Sequence, residues 1–155
     1  MQTLVLGIGN TLLSDEGVGV HVIQYLQQHH ADLPQTEFVD GGTLSFTLAG
    51  LIEQAQNLIV IDATQLESAP GTIRTFIGDE MDTFLNQQRK SSVHEVSLMD
   101  LLSIATLAEH LPPQRALIGI QPAHIDWGES ASTQVQAAIP DVCNQVVALI
   151  KAWQS

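Results

Sequence analysis

Short apolar runs recur along the chain between longer segments with helical spacing. The runs at residues 3–8, 57–63 and 116–121 predict buried strands, and TEFVD at 36–40 predicts a shorter one. NLIVIDA, at 57–63, is rich in β-branched residues and apolar on both faces. That pattern is typical of a central parallel strand covered by helices on both sides. TIRTFIG, at 72–78, predicts a strand at the edge of the sheet.

Segments with apolar residues three and four positions apart separate these runs. They predict five helices, at residues 16–30, 44–55, 79–88, 97–110 and 132–153. Ser97 is a favourable N-cap for the fourth helix. Strands that alternate with helices indicate an α/β fold. We therefore expect a single three-layer domain over residues 1–155, a twisted, mostly parallel sheet with helices on both faces.

The composition fits one ordinary domain. A chain of 155 residues can bury roughly two thirds of its unfolded surface. Apolar residues make up 45% of it, yet no apolar run approaches the ~18 residues of a membrane span. The first residues, MQTLVL, lack the basic segment of a signal peptide, and a single cysteine, Cys143, cannot form an internal disulfide. These features predict a cytoplasmic protein.

The charge balance narrows the possible partners. Seventeen acidic residues face five basic ones, which gives a net charge of −12 with histidine neutral. That negative field repels nucleic acid and anionic membranes, so we expect neither as a partner. It favours a cation or a basic protein segment.

The stretch GIGNTLLSDEGVGV, at residues 7–20, follows the first predicted strand like a phosphate-binding loop. A dinucleotide fingerprint requires G-x-G-x-x-G, but Leu12 stands at the third glycine position. Asp40 does lie where a ribose-binding acid would be found. Asp15 and Glu16 would repel a pyrophosphate at this helix start, which counts against a nucleotide. Helix capping remains an alternative role for both carboxylates.

Further polar residues fall at the same end of the predicted sheet. Asp62 ends the central strand, and His94 lies in a polar segment just before a helix. Two carboxylates, Glu16 and Asp62, with one imidazole make a suitable donor set for a divalent transition metal. The alternatives are that Asp62 binds loop amides and that His94 lies at the surface. His124, after the last strand, is the main competitor of His94.

The usual protein nucleophiles find no support in the sequence. Cys143 falls on the apolar face of the last predicted helix, which is typical of a packing residue. The chain contains no nucleophile-elbow motif, and no Ser-His-Asp arrangement can be argued from it. Peptide hydrolysis by this chain would therefore need an activated water.

Four blocks of the sequence, taken in order, resemble one known family. GIGNTLLSDEGVGV, DGGT at 40–43, VIDA at 60–63 and SSVHE at 91–95 are similar to the [NiFe]-hydrogenase maturation endopeptidases. GIQPAHIDWG is similar to their last strand and loop. A GxGN turn alone would be a weak signal, but four blocks at this spacing are specific and cover nearly the whole chain.

The resemblance implies an enzyme that removes the C-terminal tail of a hydrogenase large-subunit precursor after nickel insertion. It implies one α/β domain in which Glu16, Asp62 and His94 bind the metal and carry the catalysis. The metal is the nickel that the substrate brings, so the free enzyme is expected to hold no permanent metal. Asp40, Gly41 and Gly42 match a block next to this site and would position the substrate.

The precursor is the expected partner, and we expect the protein itself to be a monomer. Two alternatives of other classes stay open. One is a non-catalytic chaperone that binds the nickel-loaded precursor without shortening it. The other is a nucleotide-binding α/β domain, for which the glycine-rich turn and Asp40 are the only support.

Overall fold

The computed structural model describes residues 2–88 and 96–154. Strands β1 to β5 span Thr3–Ile8, Thr36–Gly42, Asn57–Ala63, Ile73–Ile77 and Gln114–Ile120. Helices α1 to α5 span Val18–His29, Ala49–Gln54, Asp79–Gln87, Leu98–Leu107 and Thr133–Gln154. Short 3₁₀ helices at Ser14–Gly17 and Phe46–Leu48 precede α1 and α2.

The five strands form one sheet in the order β2-β1-β3-β5-β4. β1 pairs with β2 and β3 in parallel, and β3 pairs with β5 in parallel. β4 pairs with β5 in the antiparallel sense at the edge, as TIRTFIG predicted. The strand order reverses between β1 and β3. In open α/β sheets, ligands bind beyond the carboxyl ends of the strands at such a point.

Apolar side chains are buried on both faces of the sheet, which gives the predicted three layers. On β3, Ile59 and Ile61 pack into one cluster with α1 and α5. Leu58 and Val60 point to the opposite face and pack with α2, α3 and α4. The chain therefore has the α/β fold expected from its sequence. Successive side chains of β3 point to opposite faces of the sheet, and helices cover both faces. This is why the strand is apolar at every position from Leu58 to Ile61.

Helix α4 begins as predicted but ends earlier. Ser97 accepts a hydrogen bond from the Asp100 backbone N–H, and the Asp100 side chain accepts one from the Ser97 N–H, which completes a capping box. The prediction extended this helix to His110, whereas α4 ends at Leu107. Glu109 adopts a φ of 62°, in the left-handed region that cannot continue an α-helix.

The sequence predicted no membrane-spanning segment. None of the helices within residues 2–88 and 96–154 is long and apolar enough to cross a bilayer.

Candidate active site

A cavity of about 470 Å³ opens beyond the carboxyl ends of the parallel strands. Its walls come from the ends of β1, β2 and β3, from the loops after β1 and β2, and from Val96 just before α4. The lining residues are Ile8, Gly9, Glu16, Gly42, Thr43, Leu44, Ser45, Phe46, Asp62 and Val96. The cavity thus lies where the strand order reverses, at the end of the sheet where the sequence predicted the site residues.

Glu16 and Asp62 reach this cavity from neighbouring strands. Asp62 is the penultimate residue of β3, and Glu16 lies in the 3₁₀ helix that follows β1. β1 and β3 are paired in parallel up to Gly7 and Ile61, so both strands end at the same edge of the sheet. The structure therefore brings together two of the three predicted metal ligands.

Two glycines allow the close packing that places Glu16 over the end of β3. Gly9 has a φ of 134°, and a Cβ there would overlap the backbone carbonyl oxygen of Glu16. A Cβ at Gly19 would overlap the carbonyl oxygen of Ile61. Any larger residue would push the 3₁₀ helix and α1 away from the sheet. The glycines thus serve a tight turn and a close backbone approach.

The two carboxylates interact electrostatically. Burial raises the pKa of Asp62 well above its ordinary value of 3.8, and the negative charge of Glu16 raises that pKa further. A hydrogen bond from the Ala63 N–H opposes these effects only in part. Ionising both carboxylates in this cavity is therefore costly unless a cation compensates their charges. The same repulsion counts against a phosphate in the cavity.

Asp15 has a different function from its neighbour Glu16. Its side chain is fully buried and accepts hydrogen bonds from the backbone N–H groups of Ala123, His124 and Ser132 and from the Ser132 hydroxyl, at 2.6–3.0 Å. Burial alone would raise the pKa of Asp15, but these four bonds hold it below the ordinary value. Asp15 thus fastens the loop after β5 to the loop that carries Glu16.

Helix capping, the alternative role for Asp15 and Glu16, is not what the structure shows. Neither the 3₁₀ helix Ser14–Gly17 nor α1 begins with a hydrogen bond from a side-chain cap. The actual partners of Asp15 lie 108 to 117 positions away along the chain, so no local sequence pattern points to them.

His94, the third predicted ligand, lies outside the described residues, so its position relative to the cavity stays a prediction. Val96, two positions later in the sequence, lines the cavity. His124 is exposed and is not among the lining residues, although its backbone N–H binds Asp15. Within residues 2–88 and 96–154, no group of three or more His, Cys, Asp or Glu side chains is arranged to hold a metal ion.

Comparison with known proteins identifies the family of this chain. The family model HycI, described as hydrogenase maturation protease, matches residues 20–149. The chain belongs to the hydrogenase maturation protease family. The resemblance drawn from the four sequence blocks is therefore confirmed.

Several relatives of this family are similar over nearly the whole chain. The hydrogenase expression/formation protein HupD of Rhodobacter capsulatus is 35% identical over 98% of this chain and 72% of its own length. The hydrogenase 2 maturation protease of Escherichia coli K12 is 32% identical over 97% and 92%. The solved structure of the hydrogenase maturating endopeptidase HybD from E. coli superposes with a TM-score of 0.89 at 31% identity, over 98% of this chain and 93% of that one.

In this member of the hydrogenase maturation protease family, the last residue of the DGG block, Gly42, lines the cavity. The Gly42 N–H donates to the Asp40 side chain at 2.9 Å, and the Gly42 carbonyl accepts from the Gly9 N–H at 2.8 Å. Gly42 lines the cavity, whereas Asp40 is exposed and holds the shape of the loop from outside. The predicted substrate-positioning role of Asp40, Gly41 and Gly42 stays a prediction.

Sequence reasoning missed the residues that follow the DGGT block. Leu44, Ser45 and Phe46 line the cavity beside Thr43, and Phe46 leaves its ring largely exposed. The Ser45 hydroxyl is hydrogen-bonded to the Thr47 hydroxyl at 2.6 Å. Their position directly after the second strand was the signal that could have found them, since loops at this edge of the sheet face the crevice.

The remaining thiol and histidine candidates lie elsewhere. Cys143 is buried within the apolar cluster beside α1, and burial raises the pKa of its thiol to about 12. It is a packing residue, as predicted from the helical pattern. His21 lines a second cavity of about 310 Å³ with Tyr25 and Pro140, and its buried Nε2 has no hydrogen-bond partner among the residues that the structure describes. His21 is therefore not part of the Glu16 cavity.

Proposed function

We propose that this chain is an endopeptidase that removes the C-terminal tail of a nickel-loaded [NiFe]-hydrogenase large-subunit precursor. Membership of the hydrogenase maturation protease family supports proteolysis as the activity. Two similar E. coli proteins are named a maturation protease and a maturating endopeptidase of hydrogenase. The nickel-loaded precursor as substrate, and the removal of its tail, come from the resemblance of the four sequence blocks.

The observation that carries the proposal is the pair of carboxylates in the cavity. Glu16 and Asp62 lie close enough for the charge of one to raise the pKa of the other, in a place where burial already disfavours ionisation. A divalent cation between them would remove this repulsion and favour both charged forms. We take that cation to be the nickel of the precursor, bound by Glu16, Asp62 and His94. The presence of Val96 in the cavity wall supports including His94.

A substrate-borne metal also accounts for the composition of the donor set. Stable protein metal sites usually close four ligands around the ion, and catalytic zinc sites are mostly rich in histidine. Two carboxylates and one imidazole would hold a free ion only weakly. They would bind better to nickel whose other positions are filled by thiolates of the precursor. We therefore propose that the enzyme holds no permanent metal and recognises the nickel that is bound to its substrate.

We propose that cleavage uses a water molecule, because the hydroxyl of Ser45 in the cavity wall is hydrogen-bonded to the Thr47 hydroxyl and not to a base that could activate it. A bound divalent metal can lower the pKa of its water toward ~7 and polarise a carbonyl. The water oxygen adds to the carbonyl carbon, the C–N bond breaks, and a proton goes to the leaving amine. Either the nickel activates the water directly, or it positions the tail while Glu16 or Asp62 acts as the base and transfers that proton.

The loop after β2 would hold the tail beside the nickel. Gly42 lines the cavity, and Thr43 and Ser45 line it beside Gly42. Backbone groups and hydroxyls of Thr43 and Ser45 suit hydrogen bonds to an extended peptide, independently of the side chains of that peptide. We propose that Asp40, Gly41 and Gly42 position the substrate by holding this loop in shape, because the Gly42 N–H donates to the Asp40 side chain and the Gly42 carbonyl accepts from the Gly9 N–H.

Mass spectrometry of the precursor tests the proposed function. The protein is mixed with nickel-loaded precursor, and the precursor is expected to lose the mass of a short C-terminal peptide. Nickel-free precursor is expected to keep its full mass even with excess enzyme. Binding without any mass loss would instead support the chaperone alternative. A protein that binds a nucleotide but neither binds nor cleaves the precursor would support the alternative of a nucleotide-binding domain.

Matched variants test the three proposed ligands. Glu16→Gln, Asp62→Asn and His94→Gln should each abolish cleavage, because each removes a nickel donor. Glu37→Gln removes an acid from the exposed part of β2 and should leave cleavage intact. His124→Gln is the control for His94→Gln. Loss of cleavage in His124→Gln with full activity in His94→Gln would assign the third ligand to His124.

A further inference from the structure

Three apolar side chains stand exposed outside the cavity, on two loops at its edge. Leu12 is 51% exposed, Ile125 48% and Trp127 81%. Leu13 and Gly128 form a parallel bridge, which places the preceding residues of the two loops, Leu12 and Trp127, side by side. We call Leu12, Ile125 and Trp127 the rim surface. An exposed tryptophan next to an exposed leucine is a common sign of a protein contact site.

The rim surface is held in place by an extensive hydrogen-bond network. The Gly128 N–H donates to the Leu12 carbonyl at 2.8 Å, and the Ser14 N–H donates to the Gly128 carbonyl at 2.7 Å. The Ser14 hydroxyl donates to the Asp126 carbonyl at 2.8 Å. The buried Asp15 carboxylate ties the same two loops together from below. A partner would therefore meet an ordered surface and lose little conformational entropy on binding.

The chain path connects the rim surface to the cavity. The chain leaves the cavity wall at Gly9 and returns to it at Glu16, with Leu12 exposed between them. Phe46, also exposed, stands on the cavity wall formed by the loop after β2. A protein that brings nickel and its own tail to Glu16 and Asp62 must lay its surface over this edge. The rim surface is thus where the body of that protein would rest.

Charges around the rim surface indicate the chemistry of the partner. Asp126 and Glu129 flank Trp127 and are exposed, and the chain as a whole carries a net charge of −12. An apolar patch bordered by carboxylates fits an apolar spot that is bordered by basic side chains. A second copy of this chain would bring the same carboxylates against themselves, which disfavours self-association through this surface.

We propose that the rim surface docks the folded body of the nickel-loaded precursor, separately from the contacts that the cavity makes with nickel and tail. This inference rests on the proposed function for the identity of the partner. Docking outside the cavity would select the folded precursor over free peptides that carry the same tail. It would also hold the nickel site over Glu16 and Asp62 while the tail is cut.

Equilibrium binding tests the docking surface without depending on cleavage. The dissociation constant of the nickel-loaded precursor is measured for the wild type and for Trp127→Ala and Leu12→Ala. Trp127→Ala is expected to raise it on the order of tenfold or more, as for a central aromatic contact. Leu107→Ala is the matched control for Leu12→Ala, since Leu107 is 86% exposed at the end of α4. It should leave the dissociation constant unchanged.

Kinetics and sedimentation complete the test. Where the wild type cleaves, Trp127→Ala should raise KM by a similar factor and leave kcat nearly unchanged. An unchanged dissociation constant in Trp127→Ala, with the fold intact by circular dichroism, would overturn the docking proposal. So would a wild-type dimer that Trp127→Ala converts to monomers. A wild type that binds through Trp127 but never cleaves would refute the proposed function alone.

Discussion

Replacing Asp15 and Asp62 by asparagine, one at a time, is expected to change the stability of the protein in opposite directions. Both substitutions remove one charge and keep the size of the side chain. Asp15 is a buried acceptor of four hydrogen bonds, whereas the pKa of Asp62 is raised by burial and by Glu16. The charged form is therefore favoured at Asp15 and disfavoured at Asp62.

The cost of Asp15→Asn follows from its hydrogen bonds. An asparagine oxygen at the Oδ2 position keeps the bonds from Ala123, His124 and the Ser132 hydroxyl. The amide nitrogen then faces the Ser132 N–H, which donates to Oδ1 at 2.6 Å in the wild type. Stranding that donor costs about 1–3 kcal/mol, and the other bonds lose their charge assistance. The total of about 3–5 kcal/mol should lower Tm by about 6–20 °C.

Asp62→Asn should leave Tm unchanged or raise it, by the equivalent of about 0.5–2 kcal/mol, as is common when an active-site charge is removed. Thermal unfolding followed by circular dichroism near neutral pH measures both variants. Glu37→Gln is the control for loss of an exposed charge. A loss of several kcal/mol in Asp62→Asn would show that Asp62 is a structural hydrogen-bond acceptor. No loss in Asp15→Asn would refute the role assigned to the four bonds.

Several other outcomes are expected. Because the pKa of Asp62 is raised in the folded protein, the contribution of Asp62 to stability should fall as pH rises from 3.8 through the folded pKa, and the Tm advantage of Asp62→Asn over the wild type should grow across that range in melts at several pH values. The pKa of Asp15 is lowered, so the Tm difference between wild type and Asp15→Asn should shrink as pH falls through that pKa. Gly9→Ala should lower both Tm and cleavage, because its Cβ would overlap the Glu16 carbonyl. Cys143 should not react with thiol reagents in the folded protein, as mass spectrometry would show.

Much of the fold could be predicted because its strands carry distinct patterns. β3 is apolar on both faces and lies inside the sheet, whereas β4 is mixed and lies at the edge. The end of α4 could not be predicted in the same way. It depends on the left-handed conformation of Glu109, and glutamate is an ordinary helix former with no preference for that conformation.

The core of the candidate site could be predicted from position alone. Glu16 follows β1 and Asp62 lies at the end of β3, and parallel neighbouring strands end at the same edge, so their meeting required only that β1 and β3 be adjacent. The role of Asp15 could not be predicted. Local rules favour helix capping for an acid at a helix start, whereas its partners belong to a loop more than 100 positions away. Tertiary contacts of that separation leave no local pattern.

The most direct test of the central claim is the coordination of nickel in the complex of enzyme and precursor. X-ray absorption at the nickel edge would be recorded for loaded precursor, altered at the cleavage site so that it stays intact, with and without the protein. The account predicts new oxygen and nitrogen ligands at about 2.0–2.2 Å on adding wild type, with fewer for Glu16→Gln and Asp62→Asn. Identical nickel spectra with and without enzyme, in a complex whose unaltered precursor is cut, would contradict it.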